Sequence, residues 1–171
     1  NMGSYLPKIT YGFNLALDYK NFDFSISFQG VAGNKILNLN RGKLYKASTS
    51  LNIDEKFANS LWTGPGSTNA YPSAYALGQG WFKVSNSFFV ESGAYLRIQN
   101  IQLGYNFNVG KTSPIALRVF ATADRPFIFT KYNGFTPEIN VNNSFGYSVY
   151  GYDANVYPIS ATYSLGVRAT F

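Results

Sequence analysis

The sequence predicts an all-β chain, a set of antiparallel strands that cross a membrane as part of a barrel. Three observations carry this. Several segments alternate apolar and polar side chains with period two; the charges within them sort onto one face; and the connections between them alternate short and long.

Composition sets the bounds. Of 171 residues, 46% are apolar and 18% aromatic, while only 13% are charged, about half the roughly 25% of an ordinary soluble domain. No Cys is present, which excludes a disulfide scaffold or a thiolate metal site. No His is present either, which removes the commonest general base and transition-metal ligand. The formal charge of +6 is dispersed along the chain and gathers into no basic run, so a nucleic-acid partner is not expected. No apolar run is long enough for a membrane-spanning helix, and the chain opens without a signal peptide.

The strands follow in order. Ile9, Tyr11, Phe13, Leu15, Leu17 and Tyr19 form the apolar face of the first, against Thr10, Gly12, Asn14, Ala16, Asp18 and Lys20. Beyond a tight turn at Asn21 the parity reverses, and Phe22, Phe24, Ile26 and Phe28 oppose Asp23, Ser25, Ser27 and Gln29. A third strand sets Ile101, Leu103, Tyr105, Phe107 and Val109 against Gln102, Gly104, Asn106 and Asn108. A fourth sets Ile115, Leu117, Val119, Ala121 and Ala123 against Arg118 and Asp124, with Phe120 an unexplained aromatic on the polar side. The fifth runs to the last residue, with Ile159, Ala161, Tyr163, Leu165, Val167, Ala169 and Phe171 opposite Ser160, Thr162, Ser164, Gly166, Arg168 and Thr170.

In these segments Asp18, Lys20, Asp23, Arg118, Asp124 and Arg168 all fall on the polar face. An Arg or Lys on the lipid face near the midplane would cost about 2–4 kcal/mol, so a membrane barrel demands this sorting. A β-sandwich also alternates, but seldom with so aromatic an inner face beside a counterface so poor in charge. Asp18, Asp23, Arg118, Asp124 and Arg168 are therefore expected to face the lumen, pairing with neighbouring strands or lining a route. Tyr11, Tyr19, Tyr105 and Tyr163 are expected at the lipid face or its interfacial girdles. One place breaks the alternation: Leu96 and Ile98 are even, whereas Ile101 and Leu103 are odd. Either a β-bulge near Gln99–Asn100 resets the parity, or Arg97 already stands above the bilayer.

A turn of a few residues joins the first two strands, and Gly110–Pro114 joins the third to the fourth. Residues 31–92 and 129–158 form the long connections. Outer-membrane barrels have short periplasmic turns and long extracellular loops, so both long segments are expected outside and the C-terminus in the periplasm. Single-chain barrels of this kind need an even strand number of about eight or more. Five strands therefore predict that residues 1–171 are the C-terminal part of a larger barrel.

Phe89–Phe107 (FVESGAYLRIQNIQLGYNF) resembles the penultimate region of the SusC/RagA family of TonB-dependent outer-membrane transporters. So do Leu6–Ile36, Trp62–Pro72 (WTGPGSTNAYP), Phe127–Ile139 and the closing Gly151–Phe171, in order along nearly the whole chain. Thr136 departs from the Asp common before Pro-Glu, and Asp124–Arg125–Pro126 from an Asn-centred stretch. The resemblance implies the last five or so strands of a barrel of about 22 strands with a plugged lumen. Plug and TonB-binding segment would lie upstream of this chain. It further implies a non-enzymatic importer in the outer membrane of a Gram-negative bacterium, working with TonB and a SusD-like lipoprotein. The cargo would be an oligosaccharide, with an oligopeptide as the alternative. A stand-alone small barrel of structural or adhesin type is the remaining alternative, and it would need further strands within residues 31–93. Ser164, Gly166, Ala169 and Phe171 resemble the terminal signal read by the barrel-assembly machinery.

Within the long loops, Trp62, Tyr71, Tyr75, Trp81 and Phe82 offer flat apolar faces suited to sugar rings; the other reading is that they pack the loop or meet the lipoprotein. Lys131 and Glu138 are the corresponding polar candidates of the second loop. No catalytic constellation is found, no dense Asp/Asn/Gly array holds a metal, and no cofactor is expected.

Overall fold

The computed structural model describes residues 2–39, 55–78, 86–108, 116–142, 148–153 and 156–170. Two compact units result, one of residues 7–34, 93–131 and 158–171, the other of residues 1–6, 35–92 and 132–157.

The first unit is a five-stranded antiparallel sheet. Its strands are β1 (Ile9–Tyr19), β2 (Phe22–Ala32), β5 (Tyr95–Asn108), β6 (Ala116–Thr130) and β10 (Thr162–Thr170), in the order β1-β2-β5-β6-β10. The β1–β2 register runs unbroken from Ile9↔Ala32 to Tyr19↔Phe22, so their apolar faces coincide. Two aromatic rows cross the apolar face. Tyr19, Phe22 and Tyr105 lie opposite one another near the short turns, the Phe22 and Tyr105 rings edge-on at 4.7 Å. Phe13, Phe28, Ile98 and Phe127 form the other row. Val119 and Phe127 of β6 stand in the two rows, eight residues apart, or about 27 Å along a strand at roughly 3.4 Å per residue. With the strand tilted by about 40°, that is close to the ~25 Å height of a barrel's apolar band.

The parity break predicted at Gln99–Asn100 is a bulge. Ile98 pairs with Phe127 and Asn100 with Asp124, leaving Gln99 facing Arg125 and Pro126 without a regular partner. The reset returns Arg97 to the polar face, where its guanidinium donates to Gln29 Oε1 at 3.2 Å. Arg125 takes a positive φ of 53°. Pro126, which has no N–H to give, stands where the ladder is interrupted anyway. β6 continues past this point to Thr130, farther than its alternation foretells.

Glycines let side chains cross strands here. The Tyr11 ring lies over Gly30, and its hydroxyl donates to the Tyr95 carbonyl on β5 at 2.9 Å. The Phe120 ring covers Gly166 of β10 and carries the Arg118 guanidinium 4.9 Å above its centre. An aromatic on the polar face is thereby explained: it fills the gap that a glycine leaves.

The second unit contains β3 (Lys35–Asn38), α1 (Glu55–Ala58), α2 (Ala74–Gly78), a 3₁₀ turn at Ser87–Phe89, β4 (Val90–Ser92), the pair β7 (Asn140–Asn142) and β8 (Ser148–Tyr150), and β9 (Tyr152–Asp153). β3 is central, antiparallel to β4 and parallel to β9. Buried Phe57 and Phe89, packed with Leu37, Leu61, Tyr71 and Phe88, form its core. The region Lys43–Lys46, where the sequence could hold a further strand, lies outside the described residues.

Candidate functional site

The polar face of the sheet carries an ordered charge row. Asp18 lies opposite Asp23 on β2, and Arg118 of β6 lies opposite Arg168 of β10. Carboxylates thus occupy one side of the row and guanidiniums the other. Asp23 and Arg118 are separated by β5, yet they bond directly, Arg118 Nε to Oδ1 at 3.0 Å and Nη2 to Oδ2 at 2.5 Å. The intervening residue is Gly104, and a Cβ there would collide with the Asp23 carboxylate and the Arg118 guanidinium. Asn106 donates to Asp23 Oδ1 at 3.2 Å, and its backbone N–H to Asn21 O at 2.8 Å, fixing the β1–β2 turn. Asp124 accepts from Asn100 Nδ2 at 2.7 Å. Asp18 and Arg168 are exposed and have no ion-pair partner among the described residues.

In the loop unit, Trp62, Tyr71 and Phe88 line a groove of about 460 Å³ together with Thr68, Asn69 and Ser73. Its walls are fixed locally. The Trp62 N–H donates to the Pro72 carbonyl at 3.3 Å, closing the segment into a loop. Ser73 Oγ accepts from Ala76 N at 3.2 Å and caps α2. Tyr71 is held edge-on by Phe57 at 5.2 Å and by Phe88 at 5.8 Å. Trp62 is exposed, and the Asn69 amide has no hydrogen-bond partner among the described residues. An apolar ring beside an open amide and two hydroxyls can stack on a flat ligand and bond its rim.

The sequence-derived candidates therefore separate. The groove unites Trp62 and Tyr71. Tyr75, on α2, points away into solvent at 77% exposure. Lys131 is exposed and Glu138 half-buried, neither lining this groove. Ser164, Gly166 and Ala169 belong to β10, where Gly166 has the packing role described above. Trp81, Phe82 and Phe171 lie outside the described residues.

One cluster escaped the sequence reading. Glu91 accepts from Asn38 Nδ2 at 3.3 Å and from the Asn133 backbone and side-chain amides at 2.9 and 3.0 Å. Asp153, fully buried, accepts from the Tyr132 hydroxyl at 2.5 Å and from Val156 N at 3.2 Å. Burial, and then the bond to the Asp153 carboxylate, push the Tyr132 phenol far above its ordinary range. The network ties segments far apart in sequence, and no local spacing announces it.

No protein-family model matches the chain. It is 32% identical, over 99% of its length, to the TonB-dependent receptor P26 of Formosa agariphila. It is 33% identical, over 94% of its length, to the TonB-dependent receptor SusC of Bacteroides thetaiotaomicron. Among solved structures, the RagAB peptide importer in its closed-closed state aligns over 99% of the chain with a TM-score of 0.79 and 26% identity. The chain belongs to the SusC/RagA family of TonB-dependent receptors. It spans 18% of P26, 15% of SusC and 18% of the RagAB chain, and its sheet is part of a transmembrane β-barrel. Two of these relatives are named as TonB-dependent receptors and the third as a peptide importer.

Proposed function

We propose that the protein to which these strands belong imports an oligosaccharide across the outer membrane, driven by TonB and assisted by a SusD-like lipoprotein. The Trp62 groove is the observation that carries the cargo assignment. An exposed indole, the Tyr71 ring and the open Asn69 amide form a surface on which a pyranose stacks its apolar face and bonds its hydroxyls. The long segments 31–92 and 129–158 face outward, the C-terminus lies in the periplasm, and Asp18, Asp23, Arg118, Asp124 and Arg168 line the lumen. Terminal β10 carries the signal for the barrel-assembly machinery.

The test is uptake by the intact system of defined oligosaccharides and of oligopeptides of matched size. Oligosaccharide uptake that falls when Trp62→Ala is introduced, with outer-membrane levels unchanged, supports the assignment. A second reading, an oligopeptide importer, is favoured by the fold match to the RagAB peptide importer. Peptide uptake with no response to any oligosaccharide would establish that reading and overturn the first.

A further inference from the structure

Each outer ladder of the sheet sets like charges face to face. Asp18 of β1 lies opposite Asp23 of β2, and Arg118 of β6 lies opposite Arg168 of β10. Residues so paired stand about 4.5–5.5 Å apart at Cβ, where like charges destabilise a ladder. The inner members escape by turning to each other. Arg118 reaches across Gly104 to Asp23, and the two neutralise one another.

The outer members are left over. Asp18 and Arg168 are exposed and, among the described residues, neither has an ion-pair partner. Within the sheet the opposite charges are already engaged or too far away. Both Asp23 oxygens are held, Oδ1 by Arg118 Nε and Asn106 Nδ2, Oδ2 by Arg118 Nη2. Asp124 lies opposite Thr162, six residues from Arg168, or about 20 Å at roughly 3.4 Å per residue. Lys20 carries its ammonium over the Tyr19 ring. Arg97 is bound to Gln29, which pairs with Gly12, six residues from Asp18.

β1 and β10 are the two edges of the sheet, and a strand in lipid must have its backbone groups paired on both sides. The strand abutting each edge therefore brings a side chain on the polar face to within about 4.5–5.5 Å of Asp18 or Arg168 at Cβ. No other occupant of the lumen is obliged to come so close.

We propose that Asp18 and Arg168 are halves of ion pairs completed across the two seams of this sheet. The strand paired with β10 presents a carboxylate to Arg168, and the strand paired with β1 presents a Lys or Arg to Asp18. These pairs select register as well as partner. A slip of two residues keeps every apolar side chain on its face, so alternation cannot reject it; it would leave Arg168 beside Arg118 with no acid. The inference needs only that the sheet continues as a barrel, and it is independent of the cargo.

Charge reversal tests this through the sign of its effect. Within the five strands alone, Arg168→Glu sets a carboxylate opposite Arg118, and Asp18→Lys sets an ammonium opposite Asp23, so both should be favourable. With the outside partners in place, each reversal instead brings like charges together across a seam. The full-length protein in detergent is unfolded in urea, and loss of its compact heat-modifiable band is timed. Each reversal should unfold roughly tenfold faster than wild type, as for losing hydrogen bonds to a charged partner, and Arg168→Lys should stay near wild type. Slower or unchanged unfolding of either reversal would overturn the proposal for that seam. A cryo-EM structure of the full-length wild type decides the β10 seam without a variant. A carboxylate of the abutting strand is expected within about 4 Å of the Arg168 guanidinium. A neutral neighbour there, or an acid offered by a segment inside the lumen instead of by a strand, would overturn the proposal.

Discussion

Replacing Tyr132 by Phe removes one oxygen from the centre of the loop unit and leaves its shape intact. The Tyr132 hydroxyl donates to Asp153 Oδ2 at 2.5 Å, and both residues are buried. Asp153 stands on β9, which pairs with β3 through Leu37↔Tyr152 and Asn38↔Asp153. The variant deprives a buried carboxylate of a donor, and hydrogen bonds to charged groups contribute about 1.5–3 kcal/mol. At ~1.4 kcal/mol per factor of ten, local opening of the β3–β9 contact should become about 10- to 100-fold more frequent. The Leu37 amide, which donates to Gly151 O at 2.8 Å, reports this directly. Hydrogen exchange of the full-length protein should show faster exchange there, with sheet amides such as those of β5 unchanged.

The pH dependence supplies a second readout. The folded-state pKa of Tyr132 is raised, so the folded form holds its proton where the unfolded phenol, with a pKa of about 10, begins to lose it. That contribution to stability is complete below pH ~10 and is lost as pH rises above it. Wild-type loop protection should therefore fall in strong alkali more steeply than that of the Phe variant. Unchanged Leu37 exchange in Tyr132→Phe, together with identical alkaline profiles, would refute the assignment of this bond as a fastening of β9 to β3.

Gly30→Ala should destabilise the barrel by about 1–3 kcal/mol, the usual cost of overpacking, because its Cβ would lie 2.5 Å from the Tyr11 ring and the Tyr95 carbonyl; urea titration of the purified protein measures it. Gly104→Leu should displace the Asp23–Arg118 pair while leaving the fold intact, since only the ends of those side chains obstruct the new atoms; a crystal or cryo-EM structure of the variant shows whether the pair reforms. Phe120→Ala should uncover Gly166 and free the Arg118 guanidinium from its ring; slower appearance of the heat-modifiable band in assembly assays is the expected outcome.

The sheet was largely legible because lipid and lumen impose opposite chemistry on alternate residues, and β1, β2 and β10 follow the alternation closely, with Val31 near the end of β2 an apolar residue on the polar face. Even the bulge could be read, since a one-residue insertion exchanges the faces of everything beyond it. The alternation faded in the outer third of β6, where Arg125 and Pro126 interrupt it and Phe127, Ile128 and Phe129 form an unpatterned apolar run. Phe120 stayed unexplained for a different reason. Its partner Gly166 is remote in sequence and pairs with it only once the β6–β10 register is known. The same holds for Gly104, whose meaning depends on charges two strands apart, and for the Glu91 and Asp153 network. Of the candidate ligand residues, Trp62 and Tyr71 converge because Pro72 and Ser73 fold the segment back on itself, a feature of turn geometry rather than of periodicity.

The two units are stabilised by different means, and this decides what a mutation in each can reveal. Among the described residues, the fully buried side chains Ile36, Asn38, Phe57, Phe89 and Asp153 all belong to the loop unit. The sheet's large apolar groups, from Phe13 to Leu165, are exposed, and it is held by its ladder and by the few side chains that cross over glycines. Its apolar surface gains stability only from lipid, so changes on that face alter insertion and lipid retention. The loop unit carries its own aromatic core and polar network, so Tyr132→Phe should loosen it without changing insertion. A loop-unit variant that failed to insert would break this division and would mean that assembly reads the loops as well as the strands.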